Sequence, residues 1–65
     1  MAKINGSAVF LPVPVTVLSY LTEHGYQQNR IAVELNGTIL PKSNYESALL
    51  QDSDTLEIVS FMGGG

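Results

Sequence analysis

Apolar and polar positions along this chain fall into segments of different period. Near the start, Lys3-Ile4 and the run Ala8-Val9-Phe10-Leu11 flank Asn5-Gly6. That dipeptide is favoured in two-residue hairpin turns, because a type I′ turn requires positive φ at both central residues. The pattern predicts a hairpin over residues 2–11, stopped by Pro12 and Pro14, which lack the N–H that a sheet ladder uses. Val17, Leu18 and Leu21 then recur at helical spacing. They predict a helix over residues 17–24 with those three as its buried stripe, Tyr20 at the margin, and Ser19, Thr22 and Glu23 toward water. Thr16 is placed to cap it, its hydroxyl accepting from an orphan N–H one turn on. Gly25 can adopt the left-handed conformation that ends a helix, with Tyr26 packing back on Tyr20 or Leu21.

Beyond the polar connection Gln27-Gln28-Asn29-Arg30 the period becomes two: Ile31, Val33 and Leu35 alternate with Ala32 and Glu34, as in a half-buried strand. A second Asn-Gly, Asn36-Gly37, leads into Thr38-Ile39-Leu40, which Pro41 ends, so this short hairpin belongs at a sheet edge. Residues 42–51 are the least regular. Ser43 is a candidate cap for one helical turn over 45–47, and Tyr45 is expected to plug the core together with Ala48, Leu49 and Leu50. Asp52-Ser53-Asp54 reads as a turn made by side-chain bonds to the backbone. The strongest strand follows over residues 55–61, with Leu56 and Ile58 facing the helix. This order implies an α+β domain, one main helix across one face of a mixed sheet of four to five strands. If the last strand pairs in parallel with the first, it is central.

A chain of 65 residues forms one domain, and a domain near this size buries only about 60% of the surface its unfolded chain exposes. It has no cysteine, so neither disulfide nor thiolate metal site supports it. At 45% hydrophobic and 14% charged residues it has the composition of a folded globule. Six acidic residues against Lys3, Arg30 and Lys42 give a net charge of −3, which argues against nucleic acid as a partner and for a basic protein. No apolar run approaches the roughly 20 residues of a membrane span, and no secretory signal pattern opens the chain, so a soluble, cytoplasmic protein is expected.

Candidate chemistry inside the domain is sparse. His24 has no second His or Cys at ligand spacing, and in the last helical turn it suits the helix dipole. The grouping Tyr45, Glu46 and Ser47 reads as a core residue beside solvated ones. Asp52 and Asp54 lack the spaced oxygen ligands of a calcium loop. No nucleophile, base and oxyanion set can be assembled, so the chain is not expected to be an enzyme, and no metal site is expected. What remains is the end of the sequence, Phe61-Met62-Gly63-Gly64-Gly65. Glycine loses more entropy on ordering than other residues and contributes no packing. A run of it offers a thin thread that can enter a narrow cleft, with residues 1–60 as the folded handle and residues 61–65 as the tail. Phe61 and Met62 are candidate anchors in a partner's pocket; the alternative for Phe61 is the last inward residue of the strand.

The combination resembles the ubiquitin-like β-grasp proteins, and within them the sulfur carriers of thiamine biosynthesis called ThiS. The residues that carry the resemblance are the two Asn-Gly hairpins, Thr16-Val17-Leu18, Val33-Glu34-Leu35-Asn36-Gly37 leading to Leu40-Pro41, Leu50-Gln51-Asp52-Ser53-Asp54, Leu56-Glu57-Ile58-Val59 and the terminal glycines. Ser53 stands where such proteins commonly have glycine, and the tail has three glycines where two suffice. The resemblance implies that the Gly65 carboxylate is adenylated by an E1-like enzyme of ThiF type, with ATP and magnesium bound by that enzyme and no cofactor bound by this chain. Sulfur from a donor protein then converts Gly65 to a thiocarboxylate, which passes sulfur to a ThiG-type thiazole synthase. Gly63 and Gly64 thread into the partners' active sites, with the adjoining sheet face docking. The absence of a phosphate-cradling Gly-x-x-x-x-Gly-Lys-Ser/Thr loop is consistent with ATP being held by a partner. Two alternatives share the fold: a MoaD-like sulfur carrier for molybdopterin synthesis, whose members usually run longer, and a ubiquitin-like protein modifier joined to lysines through Gly65.

Overall fold

Asn5 and Gly6 have φ of 50° and 85° in the computed structural model, which describes residues 1–61. This left-handed pair joins β1 (Ala2–Ile4) to β2 (Ser7–Val9) in an antiparallel ladder. The ladder stops sooner than the apolar run 8–11 suggested. Leu11 turns its N–H to the Asp52 carboxylate at 2.8 Å instead of to a neighbouring strand, and Phe10 is left 63% exposed.

The chain next forms β3 (Val15–Thr16) and passes directly into α1 (Val17–Glu23). The first N–H groups of a helix have no partner within it. Here they are met from outside: Val17 N–H donates to the Ala48 carbonyl at 2.9 Å, Leu18 N–H to the Tyr45 carbonyl at 2.8 Å, and Ser19 N–H to the Thr16 hydroxyl at 3.0 Å, the cap expected of Thr16. The helix ends one residue earlier than predicted. His24 is the capping residue, Gly25 follows at φ 78°, and Gly25 and Tyr26 donate to the carbonyls of Thr22 and Leu21. That pair of bonds is the Schellman arrangement for closing a helix with glycine. Val17 and Leu21 are buried as expected, whereas Leu18 is only half-buried and Tyr20 takes its place in the core.

A 3-10 turn (Gln28–Arg30) leads into β4 (Ile31–Leu35), and Asn36-Gly37, at φ 52° and 84°, returns the chain as β5 (Thr38–Ile39) at the sheet edge. A second 3-10 turn spans Lys42–Asn44; it starts at Pro41 and no side chain caps it, so Ser43 does not have the capping role expected of it. Tyr45 plugs the core at 1% exposure, and burial pushes its phenol pKa up. β6 (Leu49–Leu50) then pairs antiparallel with β3, Val15 opposite Leu50 and Thr16 opposite Leu49. On a two-residue strand consecutive side chains face opposite ways. Leu50 is therefore buried, and Leu49, expected in the core, is 51% exposed.

β7 (Thr55–Ser60) takes the middle of the five-stranded sheet, whose order is β2-β1-β7-β4-β5. It runs parallel to β1 and antiparallel to β4, the central position anticipated for the last strand. Leu56 and Ile58 point into the core with Ile4, Ile31, Val33 and the helix. Among the described residues no helix is long and apolar enough to cross a membrane.

Candidate functional site

β7 is the last described strand before the C-terminal glycines of the sequence, so the candidate site centres on that strand. Its backbone is held along both edges and at both ends. Lys3 N–H donates to the Asp54 carbonyl and Asn5 N–H to the Leu56 carbonyl, each at 2.9 Å. β1 has no further residue to offer, because the chain turns at Asn5-Gly6. The Asn5 carboxamide oxygen takes over, accepting the Ile58 N–H at 2.7 Å and extending the parallel ladder by one bond. At the other end Asn36 accepts the Thr55 N–H at 2.9 Å through its side-chain oxygen and donates to the Asp54 carboxylate at 3.0 Å. The sequence identified both asparagines as turn formers; their second role as clamps on β7 carries no local signal.

Beyond Ser60 the pairing with the β4 side continues for one residue: Phe61 N–H donates to the Arg30 carbonyl at 2.9 Å. The Phe61 side chain is 54% exposed rather than the last inward residue of the strand. It borders an open recess of about 240 Å³ formed by Gly25, Tyr26, Gln27, Arg30, Ile31, Ser60 and Phe61. Three separate pieces of chain meet there: the close of α1, the start of β4 and the end of β7. On the outer face of the sheet Val59 is 58% and Ile39 72% exposed, so apolar surface continues from Phe61 across the strands. Of the residues singled out for partner contact, Phe61 lies at this recess, while Met62, Gly63, Gly64 and Gly65 lie outside the described residues.

The other candidates resolve into structural roles. His24 stacks on Tyr20, ring centroids 4.0 Å apart, with Nδ1 2.9 Å from the Tyr20 carbonyl oxygen. Both carboxylates of the 52–54 turn are engaged by the protein itself. Asp54 accepts from Gln51 N–H at 2.8 Å, and Asp52 from Leu11 N–H, with the Met1 ammonium 3.2 Å away. The Leu11 N–H, and after it the Met1 ammonium, hold the Asp52 carboxyl below its ordinary pKa. Among the described residues no group of three or more His, Cys, Asp or Glu side chains could hold a metal ion.

The profile of the ThiS family matches residues 2–65. A thiazole synthase from Paramagnetospirillum magneticum is 44% identical over 62 residues, 95% of this chain, although the chain spans only 19% of that protein's length. Sulfur carrier protein ThiS from Bacillus subtilis is 36% identical over 66 residues, covering both chains in full. The crystal structure of thiamine biosynthesis protein ThiS from Geobacter metallireducens superposes with a TM-score of 0.78 at 31% identity, covering 98% of this chain and 97% of that one. A five-stranded mixed sheet with one helix, matching the β-grasp fold of that structure, and a family match along nearly the whole sequence lead to one assignment: this chain belongs to the ThiS family.

Proposed function

We propose that this protein is the sulfur carrier of thiamine thiazole synthesis and that the Gly65 carboxylate is its reactive group. A terminal carboxyl with a pKa of about 3.3–3.7 is ionised at neutral pH. Its oxygen attacks the α-phosphorus of ATP held by an E1-like adenylating enzyme, pyrophosphate leaves, and an acyl adenylate results. Sulfide supplied by a donor protein attacks the acyl carbon, the bond to AMP breaks, and the resulting thiocarboxylate is consumed by thiazole synthase. ATP and magnesium belong to the adenylating enzyme. Gly63 and Gly64 let the end of the chain pass into each partner's cleft, Phe61 and Met62 anchor its root, and the outer face of the sheet docks.

The observation that carries this reading is the placement of β7. The central strand of the domain, clamped at both ends, runs out at an exposed aromatic residue, and the sequence after it is Met62-Gly63-Gly64-Gly65. The names of the Bacillus and Paramagnetospirillum relatives favour thiamine synthesis over the molybdopterin branch. Intact mass spectrometry after incubation with ATP, the adenylating enzyme and a sulfide source tests it. Exchange of one oxygen for sulfur adds about 16 Da, the product expected of carboxylate activation followed by nucleophilic displacement. Deleting Gly64 and Gly65 should leave the melting temperature nearly unchanged and abolish the mass shift. AMP formation undiminished in the truncated protein would refute the reading.

A further inference from the structure

We propose that two copies of this chain form a weak two-fold dimer by pairing the free edges of their β2 strands antiparallel, with the axis at Val9. The direction of each backbone group on β2 follows from the bonds on the far side of β1. Lys3 and Asn5 donate to β7, so Ala2 and Ile4 turn their N–H and C=O groups toward β2. Ala2 is opposite Val9 and Ile4 opposite Ser7, which makes these the hydrogen-bonded pairs of the hairpin. Ala8, opposite Lys3, therefore turns its N–H and C=O away from the sheet. The Leu11 N–H still points to the β1 side, where Asp52 receives it, so the alternation continues and the Phe10 groups also point outward. Among the described residues the Phe10 N–H and C=O have no hydrogen-bond partner. The opposite edge offers less: β5 has two residues, and Leu40 N–H donates inward to the Val33 carbonyl, which leaves Ile39 as its outward residue.

The occupant that fits this edge is the edge itself. With the axis at Val9, Ala8 of each copy is opposite Phe10 of the other, and every outward N–H meets a C=O, four bonds in all. Ala8 shares the outer face with Lys3, and Phe10 follows it there, so the exposed Phe10 ring covers the small Ala8 of the other copy. Val9 faces Val9 as a close, β-branched pair. Pro12 comes opposite Gly6 and ends the ladder, where the glycine leaves open space. Charge points the same way. Edge strands are commonly guarded by lysine or another charge, yet residues 4–22 contain no Asp, Glu, Lys, Arg or His, the longest such stretch in the sequence. Two molecules of net charge −3 can therefore meet there without opposing like charges. Lys3 stands one strand in, so the two Lys3 residues of a dimer are three strand spacings apart, about 14 Å, beyond the roughly 8 Å screening length at physiological salt. Asp52, beside Leu11, is paired with the Met1 ammonium. The product is one ten-stranded sheet. The recess at Phe61 lies beyond β1 and β7 from the joined edges and stays open in both copies.

Contact along one short edge falls below the about 1,200 Å² of stable complexes, so a Kd of about 0.05–1 mM is expected. Sedimentation velocity of the full chain over about 0.02–2 mM should show the weight-average mass rising toward twice that of the monomer. Phe10→Glu puts a carboxylate into each half of the joint and should raise Kd at least about tenfold, while Tm stays within about 4 °C because the ring is exposed in the monomer. Ile39→Ser, which removes an exposed apolar side chain at the other edge, should leave Kd unchanged. Amide exchange of the unaltered chain reads the pairing directly: the Ala8 and Phe10 amides should slow as concentration rises, and the Ile39 amide should not. A chain that stays monomeric at about 2 mM overturns the inference and leaves the edge to a strand of another protein. So does a dimer whose Ala8 and Phe10 amides exchange as in the monomer, a folded Phe10→Glu variant that associates like the parent, or an Ile39→Ser variant that no longer associates. The inference is independent of the carrier role, which the mass shift at Gly65 tests separately.

Discussion

The Asn5 carboxamide offers a sharp test of how β7 is held. It accepts the Ile58 N–H at 2.7 Å where β1 has run out of backbone, and Ile58 is only 7% exposed, so water is a poor substitute. Losing that acceptor leaves a part-buried donor unsatisfied, a cost of about 1–3 kcal/mol. Asn5 also has φ of 50°, a conformation that costs an alanine roughly 1–2 kcal/mol. Asn5→Gly removes the bond but keeps the turn, so it should cost about 1–3 kcal/mol; Asn5→Ala incurs both penalties, about 2–5 kcal/mol. Asn5→Asp retains an acceptor and should stay within about 1 kcal/mol. A domain of this length has a total stability of about 3–10 kcal/mol, so the alanine variant loses a large part of it. Urea unfolding followed by circular dichroism gives the energies, and exchange of the Ile58 amide proton reports the bond itself. If Asn5→Gly unfolds with the parent and its Ile58 amide is equally protected, the clamp has no energetic meaning and the reasoning fails.

Phe61→Ala should change stability by less than about 1 kcal/mol, because the ring is 54% exposed and the N–H bond to Arg30 survives the substitution, while partner binding weakens about tenfold as for an anchor residue. A fall in Tm beyond about 8 °C would instead make Phe61 a core residue. Asp52 has its pKa lowered in the folded state, chiefly by the Leu11 N–H. Its contribution is therefore complete above the unfolded carboxyl value of about 3.9 and disappears as the pH falls through the lower folded value. Melting curves from pH 7 to pH 2 should show a steeper acid limb for the parent than for Asp52→Asn, and parallel limbs would contradict the assignment.

Features legible in the sequence were those with local causes. Asn-Gly fixes its own backbone sign, the helix announces itself by Thr16 and the spacing of Val17 and Leu21, and Tyr45 stands out as an aromatic residue in a polar stretch. The pairing of β3 with β6 left no trace, because two-residue strands have no period and Thr16 is separated from Leu49 by about half of the chain. Two adjacent leucines, 49 and 50, cannot be assigned to faces until the strand direction is known. The site was legible only as composition: glycines after an apolar strand. Its recess could not be read ahead, since Gly25, Arg30 and Phe61 meet only once helix closure and the β4/β7 register are set.

Under the carrier reading, the clamps on β7 and the glycines that follow it belong to one energetic problem. Fixing the backbone of residues 62–65 in a partner's cleft would then cost about 1–2 kcal/mol each, or about 4–8 kcal/mol in all, with glycine at the upper end of that range. Glycine contributes no side-chain contact to offset the loss. Under the carrier reading, affinity has to come from the surface next to the thread, and that surface must not itself require ordering. Val59, Ile39 and Phe61 meet this condition because their backbone is already fixed: Asn5 and Asn36 hold β7 from either side, and the Arg30 carbonyl secures its last described N–H. A looser last strand would add its own ordering cost to that of the glycines, and the handle would then weaken the grip it exists to provide.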